Sequence, residues 1–445
     1  MQVTRPDHPS AELGYGHPAY LDPGALGREL RRVAEVCHQC RRCLPLCGSF
    51  PTLFDLVDAS ESEVAGLTDA GFERVNELCF HCQQCFNHCP YTPPHEWDVD
   101  FPALMRRQQL ARTGREGIPL RRRLLTQTDL IGRIGALVPV LMNFANRNRL
   151  SRILMEKTLG IHRDWLQPRY TWHTVSRWWR RRTAGRPTAL TRFAEPTRRA
   201  VLFTTCSVEY SDSVVGRAAV EVLERSGVAV QPHYTRCCGM PFTDTGDLEA
   251  ARRNARRNVA ELLPLVERGA TIVVPGPSCS LMLRHEYPRL LGSEAARCVA
   301  ASTQDLMEYL YALARGGVLD RAFCAPLGAV AYHAPCHLRA QKVGVRAGDL
   351  LALAGAHVTL VMPVRESTAP GACRRASSAN PKRSHASWCG ESRTRRLPPC
   401  PQTVPSPLCA SSRRRVESPC IRSCSSPAPT GWIREALGTE GDPGA

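Results

Sequence analysis

A chain of 445 residues with 43% hydrophobic content can bury a sizeable core and is a globular protein of more than one part. The formal charge of +17 would point to an anionic partner, yet 13 Lys and Arg against 6 Asp and Glu lie from Arg365 onward, so +7 of it sits in one tail. No nucleic-acid-binding motif accompanies the charge, and a nucleic-acid partner is not expected.

The N-terminal stretch MQVTRPDHPSAELGYGHPAY has no apolar h-region, so residues 1–29 read as an extension rather than a secretory signal. A cytosolic, reducing compartment is therefore expected for the 21 Cys, where clustered thiols mean metal rather than disulfides. CHQCRRCLPLCG places Cys37, Cys40, Cys43 and Cys47 in the spacing C-x2-C-x2-C-x3-C. CFHCQQCFNHCP repeats it with Cys79, Cys82, Cys85 and Cys89, followed by Pro90. Three thiolates two residues apart wrap one face of an iron-sulfur cube, and the fourth reaches the other cluster of a two-cluster unit. The expected sets are Cys37, Cys40, Cys43 and Cys89 for one [4Fe-4S] cluster, and Cys79, Cys82, Cys85 and Cys47 for a second. Zinc sites rarely string three Cys at this spacing before a fourth. Near-helical apolar intervals in SESEVAGLTDAGFERVNELC make residues 30–115 a helical ferredoxin module.

Residues 116–197 read as a basic helical connector without cluster ligands. In YTWHTVSRWWRRR, Trp172, Trp178 and Trp179 stand beside Arg180, Arg181 and Arg182. One reading is a solvated basic face with Trp packed on neighbouring helices; the other is attachment to an anionic membrane interface. LIGRIGALVPVLMNF is interrupted by Arg133 and too short to span a bilayer.

From residue 198 to 362 strands and helices alternate. RAVLFTTC, VAVQPHY, ATIVVPGPSC and AVAYHAPC read as strands, VVGRAAVEVLERSG and LEAARRNARRNVAELLPLVERG as helices, giving α/β with a parallel sheet. Cys206, Cys279 and Cys336 fall just beyond strand carboxyl ends, where open α/β sheets place their ligands. RCCGMP adds Cys237 and Cys238, with Gly239 permitting the tight turn that lets adjacent thiols face one site. Taken singly, Cys206 or Cys279 reads as an ordinary buried thiol, whereas the Cys237–Cys238 pair reads as ligand or redox centre. Cys298 and Cys324 fit no motif and read as structural. The fold class is thus α+β multidomain: a helical two-cluster ferredoxin, then an α/β cysteine-rich domain.

The two four-Cys motifs, a Cys about thirty residues ahead of CCGMP, PSCSLMLRHEYP and YHAPCHLRAQ together resemble the family of the iron-sulfur subunit of anaerobic glycerol-3-phosphate dehydrogenase. The wider group includes the iron-sulfur subunit of glycolate oxidase and the heterodisulfide reductase subunits. TQTDLIGRIGALVPVLMNFANRNRL resembles the glycerol-3-phosphate branch specifically, and the likeness covers roughly residues 30 to 362. It implies an iron-sulfur electron-transfer subunit fed by an FAD-containing dehydrogenase subunit and passing electrons toward quinone. It also implies that Cys206, Cys237, Cys238 and Cys279 hold a further iron-sulfur centre at a first CCG repeat, with Cys336 opening a second. The heterodisulfide branch implies an alternative, disulfide reduction at the CCG centre. No flavin or nicotinamide fingerprint is present, so the substrate site is expected on another chain, with this one cytoplasmic or peripheral on the inner membrane.

The second repeat calls for another CCG-like or CSG-like triplet, and none follows Cys336. PVRESTAPGAC, back-translated and shifted by two nucleotides, permits Cys-Ser-Gly-Val-Asp-Gly-Thr-Trp-Gly-Met at that place. Residues 363–445 are accordingly read as a disordered, out-of-frame tail, with a native disordered tail as the alternative, and its six Cys, Cys373 to Cys424, are not read as ligands. Without the strands that complete the repeat, AVAYHAPC and AHVTLV are expected to expose apolar edges.

Overall fold

Short runs of Val, Ile and Leu bounded by turns build parallel strands buried on both faces. In this computed structural model, which describes residue 6 and residues 14–184 and 198–361, they do so at β1 (Arg199–Phe203), β2 (Ala229–His233) and β3 (Ala270–Val274). With β4 (Thr303–Asp305) they form one parallel sheet in the order β2-β1-β3-β4. Leu202, Phe203, Ile272, Val273 and Val274 are fully enclosed. The sequence pattern missed β4: three residues reading Thr-Gln-Asp carry no apolar alternation, and pairing with β3 alone makes them a strand.

Helices cover both faces of this sheet. They include α11 (Cys206–Tyr210), α12 (Ser213–Arg225), α13 (Met240–Thr245), α14 (Leu248–Glu267), α15 (Pro277–Leu281), α16 (Tyr287–Leu291), α17 (Glu294–Ala301) and α18 (Leu306–Arg315). A single π turn, Met282–Glu286, joins α15 to α16. The sheet order reverses between β1 and β3, so the crevice at their carboxyl ends is a topological switch point.

A second sheet holds only β5 (Gly328–His333) and β6 (Ala356–Val361), parallel, with α19 (Cys336–Ala340) and α20 (Arg346–Leu353) between them in sequence. Leu360 and Val361 are 43% and 42% exposed, so this pair does present apolar side chains to solvent. The tail assigned to an out-of-frame segment lies outside the described residues.

The N-terminal part is helical, as the periodicity indicates: α1 (Pro23–Cys40), α2 (Ser49–Asp58), α3 (Asp69–Glu77), α4 (Gln84–His88) and α5 (Phe101–Glu116). Asp22 caps α1 by accepting from the Ala25 amide at 2.6 Å, and Pro23 supplies the first turn. Phe50, Phe54, Phe72 and Met105 fill the core on which the cysteine loops rest. The connector forms α6 (Leu120–Leu125), α7 (Thr128–Leu137), α8 (Pro139–Arg147), α9 (Arg149–Leu159) and α10 (Val175–Thr183).

Described residues through Asp320, together with those from Leu327, cluster as one compact unit, and Arg321–Pro326 fall in a second. Within the first unit α5 reaches the α/β part. Arg106 donates to Glu286 at 2.6 Å with both side chains buried, and Tyr15 donates to the other Glu286 oxygen at 2.8 Å. Burial alone would raise the Glu286 carboxyl; Arg106 and Arg289 overcome it and hold it down at about 2. Arg107 donates to the carbonyls of Tyr20 and Ala19, each at 2.6 Å. Of the arginines in LMRRQQLARTGREGIPLRRRLL, Arg106 and Arg107 are thus interior, whereas Arg121 and Arg123 are exposed.

Candidate metal centres

The two ferredoxin-type motifs share a left-handed residue directly after their second Cys. Cys37 and Cys40 occupy the last turn of α1, three residues apart and so on one face; Arg41 then turns left-handed (φ 47°) and ends the helix. In the second motif Gln83, also the residue after the second Cys, is left-handed (φ 60°) and starts α4, which carries Cys85. His81 is left-handed too (φ 52°). A non-glycine residue held this way costs about 1–3 kcal/mol and marks functional loops, here turning each chain after the second Cys of its motif.

The Sγ neighbours form two crossed groups. Cys37 lies near Cys43, Cys89 and Cys40, and Cys43 near Cys89 and Cys40 and, after them, Cys47. Cys37, Cys40, Cys43 and Cys89 line one cavity with Val36, Phe50, Pro90 and Tyr91. Cys85 lies near Cys79, Cys82 and Cys47, with Cys43 the least of its thiol neighbours, and Cys79 lies near Cys47 and Cys82. Cys89 thus lies among the thiols of the first motif and Cys47 among those of the second. Burial pushes the Cys43 thiol up to about 12 and those of Cys37, Cys79 and Cys85 up as well, with neighbouring thiols adding to it. Four such thiols cannot ionise together in an apolar wall unless a cation is bound among them, so the donor sets fit a thiolate-ligated cluster. Among the described residues no His, Cys, Asp or Glu group of three or more is gathered as the ligands of one metal ion would be.

The third thiol group sits at the switch point. Cys206 opens α11 after β1, Cys279 lies in α15 after β3, and Cys237 and Cys238 follow β2, with Gly239 left-handed at φ 98°. Their side chains form a hydrogen-bonded chain, Cys206 to Cys237 to Cys238 to Cys279. Hydrogen bonds from Cys206 and Cys238 hold the Cys237 thiol well below its usual range; those same contacts push Cys206 and Cys238 up. The four predicted residues are therefore brought together. Cys336 is not with them: its thiol hydrogen-bonds to Cys82 and, with that bond as the chief cause, lowers the Cys82 thiol to about 7. Cys298 and Cys324 are exposed rather than core thiols.

The sequence reading missed the residues that hold this site. Asp129, on the connector's α7, accepts from the Cys237 amide at 2.9 Å and from the Tyr234 hydroxyl. Asn254 and Asn258 of α14 donate to the Cys237 carbonyl at 3.1 and 3.3 Å, so the peptide groups on either side of Cys237 are both held. Asn258 also donates to the Tyr287 hydroxyl at 2.8 Å. The Thr128 hydroxyl is buried against Cys206 and Cys237, and its hydrogen bonds to the two sulfurs favour their ionised forms. The repeated RRN of ARRNARRN, two Asn four residues apart on the inner face of an amphipathic helix, was the available signal. Nothing local marked Thr128 or Asp129, because their partner lies more than a hundred residues away.

The fold and these sites define a chain with a Fer4-like domain followed by a cysteine-rich domain. Residues 30–114 match the citrate utilization protein B Fer4-like domain and residues 200–284 the cysteine-rich (CCG) domain, and domains of these kinds indicate iron-sulfur clusters. The chain is 28% identical to the C subunit of the anaerobic glycerol-3-phosphate dehydrogenase of Escherichia coli K12 over 233 residues, 51% of this chain and 54% of that protein. It is 32% identical to lactate utilization protein A of Bacillus cereus strain B4264 over 151 residues, 33% of this chain and 59% of the relative. The chain thus spans between half and three-fifths of the length of these curated relatives. No solved structure matches it.

Proposed function

We propose that the chain is the iron-sulfur electron-transfer subunit of a flavoprotein dehydrogenase acting on glycerol 3-phosphate or a similar hydroxy substrate. The crossed grouping of the eight ferredoxin-type thiols carries this reading. Cys37, Cys40, Cys43 and Cys89 would hold one [4Fe-4S] cluster, and Cys79, Cys82, Cys85 and Cys47 a second; Cys206, Cys237, Cys238 and Cys279 would hold a further centre. When bound, the clusters supply one-electron chemistry. The chain's own residues bury the thiols, exclude water with Phe50 and Tyr91, and hold the peptide groups on either side of Cys237 through Asp129, Asn254 and Asn258. Electrons would come from an FAD-bearing partner and leave toward quinone.

The second reading, disulfide reduction at the CCG centre, draws on the hydrogen-bonded chain of four thiols there. One experiment separates the two. The anaerobically reconstituted chain is bleached with dithionite, desalted, and offered a soluble quinone or a disulfide. Recovery of the visible absorbance by quinone alone supports electron transfer; recovery by the disulfide alone overturns it in favour of the second reading.

We further propose that the protein sits at the cytoplasmic face of the inner membrane, held by α6 to α9. Leu137, Val140, Leu141, Phe144, Leu150 and Leu154 there are 61–77% exposed. Arg121, Arg123, Arg133, Arg147, Arg149 and Lys157 are exposed around them, while Asp129 and Glu156 turn inward to Cys237 and Arg163. An apolar face rimmed by cations suits an anionic lipid surface. By contrast Trp178 and Trp179 pack on the sheet core, and Arg182 stacks on Trp178 while pairing with Glu224 at 2.6 Å. Among the described residues no single helix is long and apolar enough to cross a membrane; α7 and α8 pass only as a pair bent by 109°.

A further inference from the structure

The short helix α19 is buried between the two halves of the thiol machinery, and its contacts run to both. Toward the ferredoxin-like side, the Cys336 thiol meets Cys82, the Cys336 carbonyl accepts from Gln84 Nε2 at 2.8 Å, and the Arg339 carbonyl accepts from Asn87 Nδ2 at 2.9 Å. Toward the cysteine-rich side, Gln341 Nε2 donates to the Pro277 carbonyl at 3.1 Å and to Ser280 Oγ at 2.9 Å.

His337 spans the gap with one side chain. Its Nε2 lies 3.3 Å from the His81 carbonyl and its Nδ1 2.8 Å from Ser278 Oγ. A carbonyl only accepts, so Nε2 carries the proton and Nδ1 accepts from the serine hydroxyl. A neutral imidazole thus satisfies both neighbours, and burial keeps the ring neutral by lowering it to about 4. His81 immediately precedes Cys82, and Ser278 immediately precedes Cys279.

We propose that His337 is a positioning residue that clamps the Cys82 loop to the helix bearing Cys279, holding the ferredoxin-type and CCG thiol sets as one redox unit. Its purpose rests on the iron-sulfur reading above, but the clamp itself is a property of the polypeptide. The imidazole passes no proton in this role, since both nitrogens are engaged; it fixes the separation and orientation on which electronic coupling depends.

The test uses the full chain carrying His337→Phe, which fills the space but removes both hydrogen bonds, and Ser278→Ala, which removes only the cysteine-rich-side bond. In the iron-free chain, brief iodoacetamide treatment followed by peptide mass spectrometry reads each thiol separately. His337→Phe is expected to raise labelling of Cys82 and Cys279 several-fold with Cys37 and Cys40 unchanged; Ser278→Ala raises Cys279 alone. In the iron-loaded chain, the EPR signal of one ferredoxin cluster changes shape and the other does not. Labelling of Cys82 and Cys279 at the wild-type rate overturns the proposal, as does a uniform rise at every cysteine, the mark of general unfolding. If the wild-type chain binds no iron, the functional reading fails, while the labelling comparison still decides the clamp.

Discussion

Replacing Arg106 by Met asks how much the buried ion pair between α5 and the π turn contributes. Side-chain exposure is 5% for Arg106 and 2% for Glu286. Removing one member of such a pair leaves the other charge uncompensated, at a cost of about 3–5 kcal/mol. Arg289, 3.9 Å from the same Glu286 oxygen, and the Tyr15 hydroxyl remain. The loss should therefore fall at the lower end, about 3 kcal/mol. Glu286→Gln alone should cost a similar amount by stranding Arg106. The double variant removes both charges while Gln still accepts from Tyr15, and should recover most of it, giving a coupling energy of about 2 kcal/mol or more. Urea unfolding followed by Trp fluorescence and far-ultraviolet circular dichroism measures all four proteins. The wild type carries a pH signature as well. Glu286 is held at about 2 against an ordinary 4.5, so its contribution is complete above 4.5 and disappears as pH falls toward 2; Arg106→Met should flatten that acid limb. Arg106→Met within about 1 kcal/mol of wild type, or a double variant equal to the sum of the singles, would show that the two side chains are not coupled as their geometry requires.

Asp244 should show the opposite sign: burial raises its carboxyl from 3.8 to about 7, and its Oδ1 has no hydrogen-bond partner. Its contribution is present below 3.8 and lost as pH rises through about 7, so Asp244→Asn should raise the melting temperature at pH 8 but not at pH 4. Gly132→Ala would put a Cβ 2.2 Å from the Tyr210 ring and should cost about 1–3 kcal/mol in urea unfolding, with Ala at the open Gly114 as the control. Asp129→Ala strips the Cys237 amide of its acceptor and should cost about 1.5–3 kcal/mol. Iron counting should show Asp129→Ala losing metal from the CCG site before the ferredoxin sites. At the membrane face, Leu141→Glu/Phe144→Glu should abolish low-salt co-sedimentation with phosphatidylglycerol–phosphatidylcholine vesicles, and unchanged sedimentation would move the contact elsewhere.

Much of the architecture was readable because it is local. The C-x2-C spacing puts Cys37 and Cys40 on one turn of α1, and unbroken apolar runs mark β1 and β3. What escaped was long-range. Arg106 reads as one of many surface arginines until Glu286, 180 residues on, is folded against it. Asp129 in a connector gave no hint of the Cys237 amide, and the Thr-Gln-Asp of β4 is a strand only by pairing. Cys336 shows the same limit from another side: its motif resembles the start of a second CCG repeat, yet its thiol meets Cys82.

If eight thiols hold two clusters with exchanged fourth ligands, Cys89→Ser must damage the cluster of the first motif rather than that of its own. The reconstituted chain would be assayed for iron, acid-labile sulfide and EPR of the dithionite-reduced state, beside Cys47→Ser. A brown wild type is expected, with Cys89→Ser disturbing the same signal as Cys40→Ser, and Cys47→Ser the same signal as Cys82→Ser. A colourless or zinc-loaded wild type, or Cys89→Ser disturbing the signal that belongs with Cys82, would rule the exchanged arrangement out.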